Sequence, residues 1–228
     1  DAVEGAFMRI REAGYTHVIA VCLSGGLSGT CNLVRLIGGQ AEGLEVAVFD
    51  SLSGSLGTGM TVLQAARWIE AGWTWEELLR AIPPLMRDTH VFFCVDTLEY
   101  LQKGGRIGKI SAVAGTLLQI KPIISFAADG QLVNVAKVRG RKAAMQKMVQ
   151  MAAALVPEGA RFNIAVAHGD SPAELDGIRA MAQQSMPGFL HCMEGEIDCT
   201  LGAYVGPHLL GAGVQMLGEA LAAAGREN

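Results

Sequence analysis

Charge is scarce in this sequence: Asp, Glu, Lys and Arg make up 18% of its 228 residues, and the formal net charge is -4. That leaves no basic face of the kind nucleic-acid binding requires, so no nucleic-acid partner is expected. Long apolar runs are also missing. Glycine or charge interrupts each one, so no transmembrane segment is expected. The opening residues, DAVEGAFMRIREAGY, contain neither an initiator Met nor a basic-then-apolar signal region, and they suit the middle of a longer gene product. Cysteines number five (Cys22, Cys31, Cys94, Cys192 and Cys199), with no C-x-x-C pair. An odd count without a secretory signal favours reduced thiols and a cytoplasmic location. Closely spaced Cys/His pairs are absent too; His191-Cys192 is the nearest approach, and no metal site is expected. What is abundant is apolar residues, half of the chain, and 29 glycines, which exclude disorder and suit one large or two small packed domains.

The apolar spacing sets the element order. Val3, Phe7 and Ile10 predict a helix over 2–13. HVIAVCLS (17–24) and VAVFDS (46–51) are β-branched runs typical of buried strands, and VFFCVDT (91–97) is a third. Helices from Thr30 to Leu36 and from Met60 to Ala71 alternate with them, which implies a parallel α/β layer. Thr74 and Glu77 form a capping box for a helix expected to kink or restart at Pro83-Pro84. IKPIISFAADGQLVNVAKV then predicts a hairpin around Asp129-Gly130. Ala144 to Leu155 is a helix, RFNIAVAHG a strand, and Ser171 to Met186 a helix opened by a capping box at Ser171 and Glu174. FLHCMEGEI is a strand, whereas glycines leave 201–223 ambiguous. A boundary near residue 88 divides the chain into an N-terminal α/β domain (1–88) and a mixed α+β C-terminal domain (89–228).

The strongest local feature is Ser24-Gly25-Gly26-Leu27-Ser28-Gly29-Thr30, three hydroxyls and three glycines with one leucine between a strand and a helix. Free N–H groups and the positive end of a helix dipole favour an anion there; an ordinary capped turn is the plainer alternative. No Lys follows the last glycine, and Thr30 breaks G-x-S-x-G, so neither a Walker loop nor a nucleophile elbow is present. The loop at 53–59, with Gly54, Gly57 and Gly59, suits a second wall of the same crevice. Basic residues in Lys103-Gly-Gly-Arg106 and in Arg139-Gly-Arg141-Lys142 are either solvated or face an anionic substrate or partner. His168 suits a local structural role, and His208 has no partner evident from sequence.

Five stretches in order, LSGGLSGT (23–30), FDSLSGSLGTGMTVLQAA (49–66), VDTLEYLQKGGRIGK (95–109), LLQIKPIISFAADGQL (117–132) and KVRGRKAAMQK (137–147), resemble the DegV family of fatty-acid-binding proteins. The resemblance implies two α/β domains with one long-chain fatty acid between them and no further cofactor. It implies a carboxylate held by the L-S-G-T serine, here Ser28, with Gly29 and Thr30 supporting. It also implies a carrier rather than a catalyst, one that presents the acid to a separate fatty acid kinase for phospholipid synthesis. Two departures stand out. The family's T-D-S and T-S-x-P-S segments would precede residue 1, and the histidine of G-A-H-V-G-P-G is replaced by Tyr204, which is expected to bind the carboxylate opposite Ser28 as a hydrogen-bond donor. Arg106 and Arg139 are candidates for the opening or the kinase-facing surface. The rivals are a serine esterase or acyltransferase using Ser28, with His168 or His208 as base, and a phosphate-binding transfer module.

Overall fold

A computed structural model describes residues 2–110 and 120–226; residues 117–119 of the fourth family-like stretch fall outside them. The elements run α1 (Ala2–Glu12), β1 (His17–Cys22), α2 (Thr30–Gly38), β2 (Glu45–Asp50), α3 (Leu56–Glu70), α4 (Trp75–Arg87), β3 (Thr89–Cys94) and α5 (Glu99–Lys103). They continue with β4 (Ile120–Phe126), β5 (Leu132–Arg139), α6 (Arg141–Ala153), β6 (Phe162–Gly169), α7 (Pro172–Ser185), β7 (Cys192–Glu196), α8 (Cys199–Val205), β8 (Leu209–Met216) and α9 (Gly218–Ala223). The fold is mixed α/β. A two-stranded parallel sheet joins β1 and β2, and a six-stranded mixed sheet has the order β5-β4-β3-β8-β6-β7.

The third strand therefore corrects the expected parallel series: β3 lies antiparallel to both β4 and β8. Helices α1 and α2 cover one face of the small sheet, with Phe7 and Val46 closing on Gly38. Helix α3 lies between the two sheets, touching β1 on one side and β3, β6 and β8 on the other. Helices α6 and α7 cover the far face of the large sheet.

Side-chain size on β6 and β8 separates those two faces. Phe162, Ile164, Val166, Leu210, Ala212 and Val214 point into the α6/α7 core. The central alternate positions are small (Ala165, Ala167, Gly211 and Gly213), with the larger Asn163, Leu209 and Gln215 towards the strand ends. Met60 Sδ and Leu56 Cδ1 lie 3.4 and 3.5 Å from where a Cβ on Gly213 and Gly211 would stand, so α3 packs directly on this glycine face of the sheet. This explains why 201–223 is not broken by its glycines but forms α8, β8 and α9.

Three further local expectations are corrected. Helix α3 starts at Leu56, so Gly57 and Gly59 are helical rather than loop residues, and a Cβ at Gly57 would overlap Ser53. Helix α4 continues through Pro83 and Pro84 without restarting, because Leu78, Ala81, Ile82 and Leu85 are fully packed, chiefly against α3 and α9. Its capping box is formed as expected, Thr74 Oγ1 accepting from Glu77 N at 3.3 Å and Glu77 Oε2 from Thr74 N at 2.7 Å. The capping box at Ser171 is not formed. Glu174 is instead drawn to Arg141, whose Nε and Nη2 donate to its two oxygens at 2.6–2.8 Å. Beside α4, Trp68 stacks on Trp73 (4.4 Å, 8°), Arg226 covers Trp73, and Trp75 meets His17 edge-on.

The Arg141 hydrogen bonds hold the Glu174 carboxyl below its ordinary value of 4.5, against burial, which raises it. A depressed carboxylate pKa contributes stability that is complete above the unfolded value and is lost as pH falls through the folded one. Glu174→Gln is expected to cost about 1 kcal/mol at pH 7, a modest figure because the pair is partly exposed. Urea unfolding of both proteins should show the gap narrowing as pH drops below 4.5; a gap independent of pH would refute this account.

Candidate ligand chamber

Helix α3 begins at Leu56 and leaves the rest of this face of the large sheet to other elements and a space among them. The space is walled by Val91, Phe93, Phe126, Leu132, Ala167, Leu209 and Gly211 from the strands and by Leu23 and Leu27 from the loop after β1. Gly54, Ser55 and Leu56 form the second wall expected of the 53–59 loop, and α5 and α8 contribute Leu101, Thr200, Leu201, Tyr204 and Val205. The cavity is about 210 Å³, larger than the roughly 150 Å³ apolar cavities that stay dry and take up a small hydrocarbon. An apolar occupant suits it.

The loop after β1 is fixed by its own hydroxyls and glycines. Buried Ser24 donates from Oγ to Gly130 O at 2.8 Å and accepts from Gly26 N at 3.1 Å. The N–H groups of Leu27 and Ser28 both reach Ser24 O. Gly26 sits so close to the β4–β5 turn that a Cβ would lie 2.8 Å from Asp129 O. The small-sheet loop is thereby pinned to the large sheet's hairpin. The Asp50 carboxylate accepts from Gly25 N at 3.0 and 3.1 Å and from Leu52 N at 2.9 Å, so part of this nest already binds an anion from within the chain.

Three of the sequence-predicted residues converge on the chamber: Ser28, Arg106 and Tyr204. Ser28 Oγ lies 2.9 Å from Thr30 Oγ1 and accepts from Thr30 N at 3.2 Å. Arg106 donates from Nε to Leu27 O at 3.1 Å and from Nη1 to Gly104 O at 2.8 Å, and its guanidinium lies 5.0 Å from the Tyr204 ring centre. Gly29 caps α2 and Thr30 begins it; both are exposed and support Ser28 rather than line the space. Arg139 is exposed at the end of β5 and does not line it. Sequence reasoning missed Thr200 and the small residues Ala167 and Gly211; the small/large alternation along β6 and β8 was the available signal.

His208 Nδ1 pairs with Ser171 Oγ and with Asp170 O, each at 3.1 Å, and His168 Nδ1 accepts from Ser171 N at 3.2 Å. Both histidines thus gather at Ser171, and Ser28 has Thr30 in place of the base a serine nucleophile requires. Burial, with Cys31 alongside, pushes the Cys22 thiol up to about 11, and burial does the same for Cys94. Neither suits a nucleophile. Among the described residues no group of three or more His, Cys, Asp or Glu is placed to hold a metal, and no helix is long and apolar enough to cross a membrane.

Fold and chamber together define a mixed α/β protein with an apolar cavity on its large sheet, edged by a serine, an arginine and a tyrosine. The chain belongs to the DegV family: the family described as "Uncharacterised protein, DegV family" matches residues 1–216. A DegV domain-containing protein of Clostridium acetobutylicum is 34% identical over 92% of this chain and 74% of its own length. A DegV family protein from Thermus thermophilus, described by its fatty acid binding, is 31% identical with a TM-score of 0.85, covering 94% of this chain and 76% of that one. DegV of Bacillus subtilis, described as a fatty acid binding protein, is 26% identical with a TM-score of 0.80, covering 93% and 76%.

Proposed function

We propose that this protein binds a long-chain fatty acid, with the tail in the chamber and the carboxylate among Ser28, Arg106 and Tyr204. The observation that carries the reading is an apolar cavity bordered by one hydroxyl loop, one guanidinium and one phenol. A tail gains about 0.8 kcal/mol per buried CH₂, while the carboxylate keeps hydrogen-bond donors at the surface. Tyr204, in the position of the family's histidine, offers a phenolic hydroxyl as a hydrogen-bond donor. The fatty acid binding described for the Thermus and Bacillus proteins supports the assignment.

On this reading the protein is a cytoplasmic carrier, its units 1–88 and 89–228 enclosing the acid, with α9 crossing back to pack on α4. It hands the carboxylate to a separate fatty acid kinase, Arg106 and Arg139 facing that partner. Native mass spectrometry and oleate titration test the binding. A one-to-one complex is expected, and Ser28→Ala should weaken it about ten- to a hundredfold, the worth of one hydrogen bond to a charged group. Absence of any acyl complex would refute the reading; stoichiometric labelling of Ser28 by a fluorophosphonate would replace it with an esterase, and displacement of oleate by phosphate with a phosphate-binding module.

A further inference from the structure

The densest polar cluster outside the chamber centres on Arg141, the first residue of α6. Besides its fork on Glu174, Arg141 donates from Nη1 to His208 O at 2.8 Å and to Asp96 Oδ1 at 3.3 Å, and from Nη2 to Ser171 Oγ at 3.4 Å. Lys121 Nζ holds the same Asp96 through Oδ1 at 2.7 Å and its carbonyl at 3.2 Å. Asp96 lies three residues before α5, and His208 three residues after α8. These two short helices pack on each other over the chamber. A Cβ at Gly206 would overlap the Tyr100 ring, and one at Gly104 would lie 2.5 Å from the Tyr204 ring. Neither helix has a long sheet-packed face of its own. Leu101 and Val205 tie them to the core around Phe93, Ile124 and Leu209, and what holds the chain at their far ends completes their placement.

His208 shows how firmly one of those ends is held. It is a non-glycine residue at φ 60°, as is its neighbour across the turn, Asp170, at 54°. Such conformations persist where the surroundings over-determine them. Here the His208 carbonyl is bound by Arg141, and its ring by Ser171 and Asp170.

We infer that Arg141 is a positioning residue for the chamber: by binding Asp96 and His208 it fixes the outer ends of α5 and α8, and with them Leu101, Tyr204 and Val205. An arginine is needed, since one planar fork serves Glu174 and the remaining nitrogen both helix ends, a geometry an ammonium lacks. The functional consequence rests on the fatty-acid reading above. A loosened cover opens more often, so the bound acid leaves faster while its arrival is little altered.

The test measures association and dissociation of cis-parinaric acid, together with amide hydrogen exchange, in the wild type, Arg141→Gln and Arg141→Lys. Arg141→Gln is expected to raise the dissociation rate at least tenfold with association within a factor of two. Exchange protection should fall across 99–106 and 199–206 but not in β6 or β8. Arg141→Lys, which keeps the charge and is the milder change for folding, should fall between the two. Dissociation unchanged in both variants, or protection lost evenly across the large sheet, would overturn the inference and leave Arg141 a general stabiliser. If the wild type takes up no parinaric acid, the fatty-acid reading fails on its own, and the local exchange pattern still decides the positioning role.

Discussion

Gly130→Ala is expected to cost about 3 kcal/mol of stability, a Tm loss of roughly 6–12 °C for a chain of this size. Two terms add. Gly130 has φ +73°, where a Cβ is disfavoured by about 1 kcal/mol or more. That Cβ would also overlap Ser24 Oγ and lie 3.2 Å from Leu52 Cα, so the Ser24 hydroxyl must abandon the Gly130 carbonyl it now binds. A buried hydroxyl left unpaired adds a further 1–3 kcal/mol. Gly188→Ala is the control: φ is +88° but nothing stands within 4 Å, so only the backbone term applies. Calorimetry of both should separate them by about 2 kcal/mol; equal losses would mean that the contact between the Ser24 loop and the hairpin contributes nothing. Because that contact also carries Ser28, oleate affinity should fall in Gly130→Ala and hold in Gly188→Ala.

The second large effect is on binding. Gly211→Phe should abolish detectable oleate uptake, a loss above a hundredfold, with a Tm within a few degrees of the wild type. Gly211 lines the chamber, and a Cβ there meets Leu56 Cδ1 at 3.5 Å and Phe92 O at 3.7 Å, both ordinary contacts. The benzyl group then occupies the space meant for the tail, and filling an apolar cavity offsets the strain of introducing the ring. A Tm that stays put with lost uptake would tie binding to this cavity. Undiminished uptake would place the acyl chain elsewhere.

Much of this architecture was legible because β-branched runs and helical spacing do not depend on distant residues. The hairpin around Asp129-Gly130, β1, β2, β6 and α7 follow from local pattern alone. What was illegible depended on packing between elements. Glycine in 201–223 reads as a breaker until α3 is seen lying on Gly211 and Gly213. Prolines 83 and 84 read as a restart until the buried face of α4 is seen to hold the helix through them. Ser171 and Glu174 have the spacing of a cap, yet an arginine 33 residues earlier takes the glutamate. The same division holds for the site. The Ser28 loop announces itself by composition, whereas the meeting of Arg106 with Tyr204, nearly a hundred residues apart, is a product of the α5–α8 contact.

The stacked tryptophans have a practical consequence. All three of the chain's indoles, at 68, 73 and 75, gather around α4, and none lines the chamber. Tryptophan emission should therefore ignore an arriving acyl chain, while the coupled Trp68–Trp73 pair gives a circular-dichroism signal that disappears when α3 and α4 separate. The protein carries an optical reporter of its own unfolding that is silent about its cargo, and Tyr204 is the tyrosine placed to report the cargo.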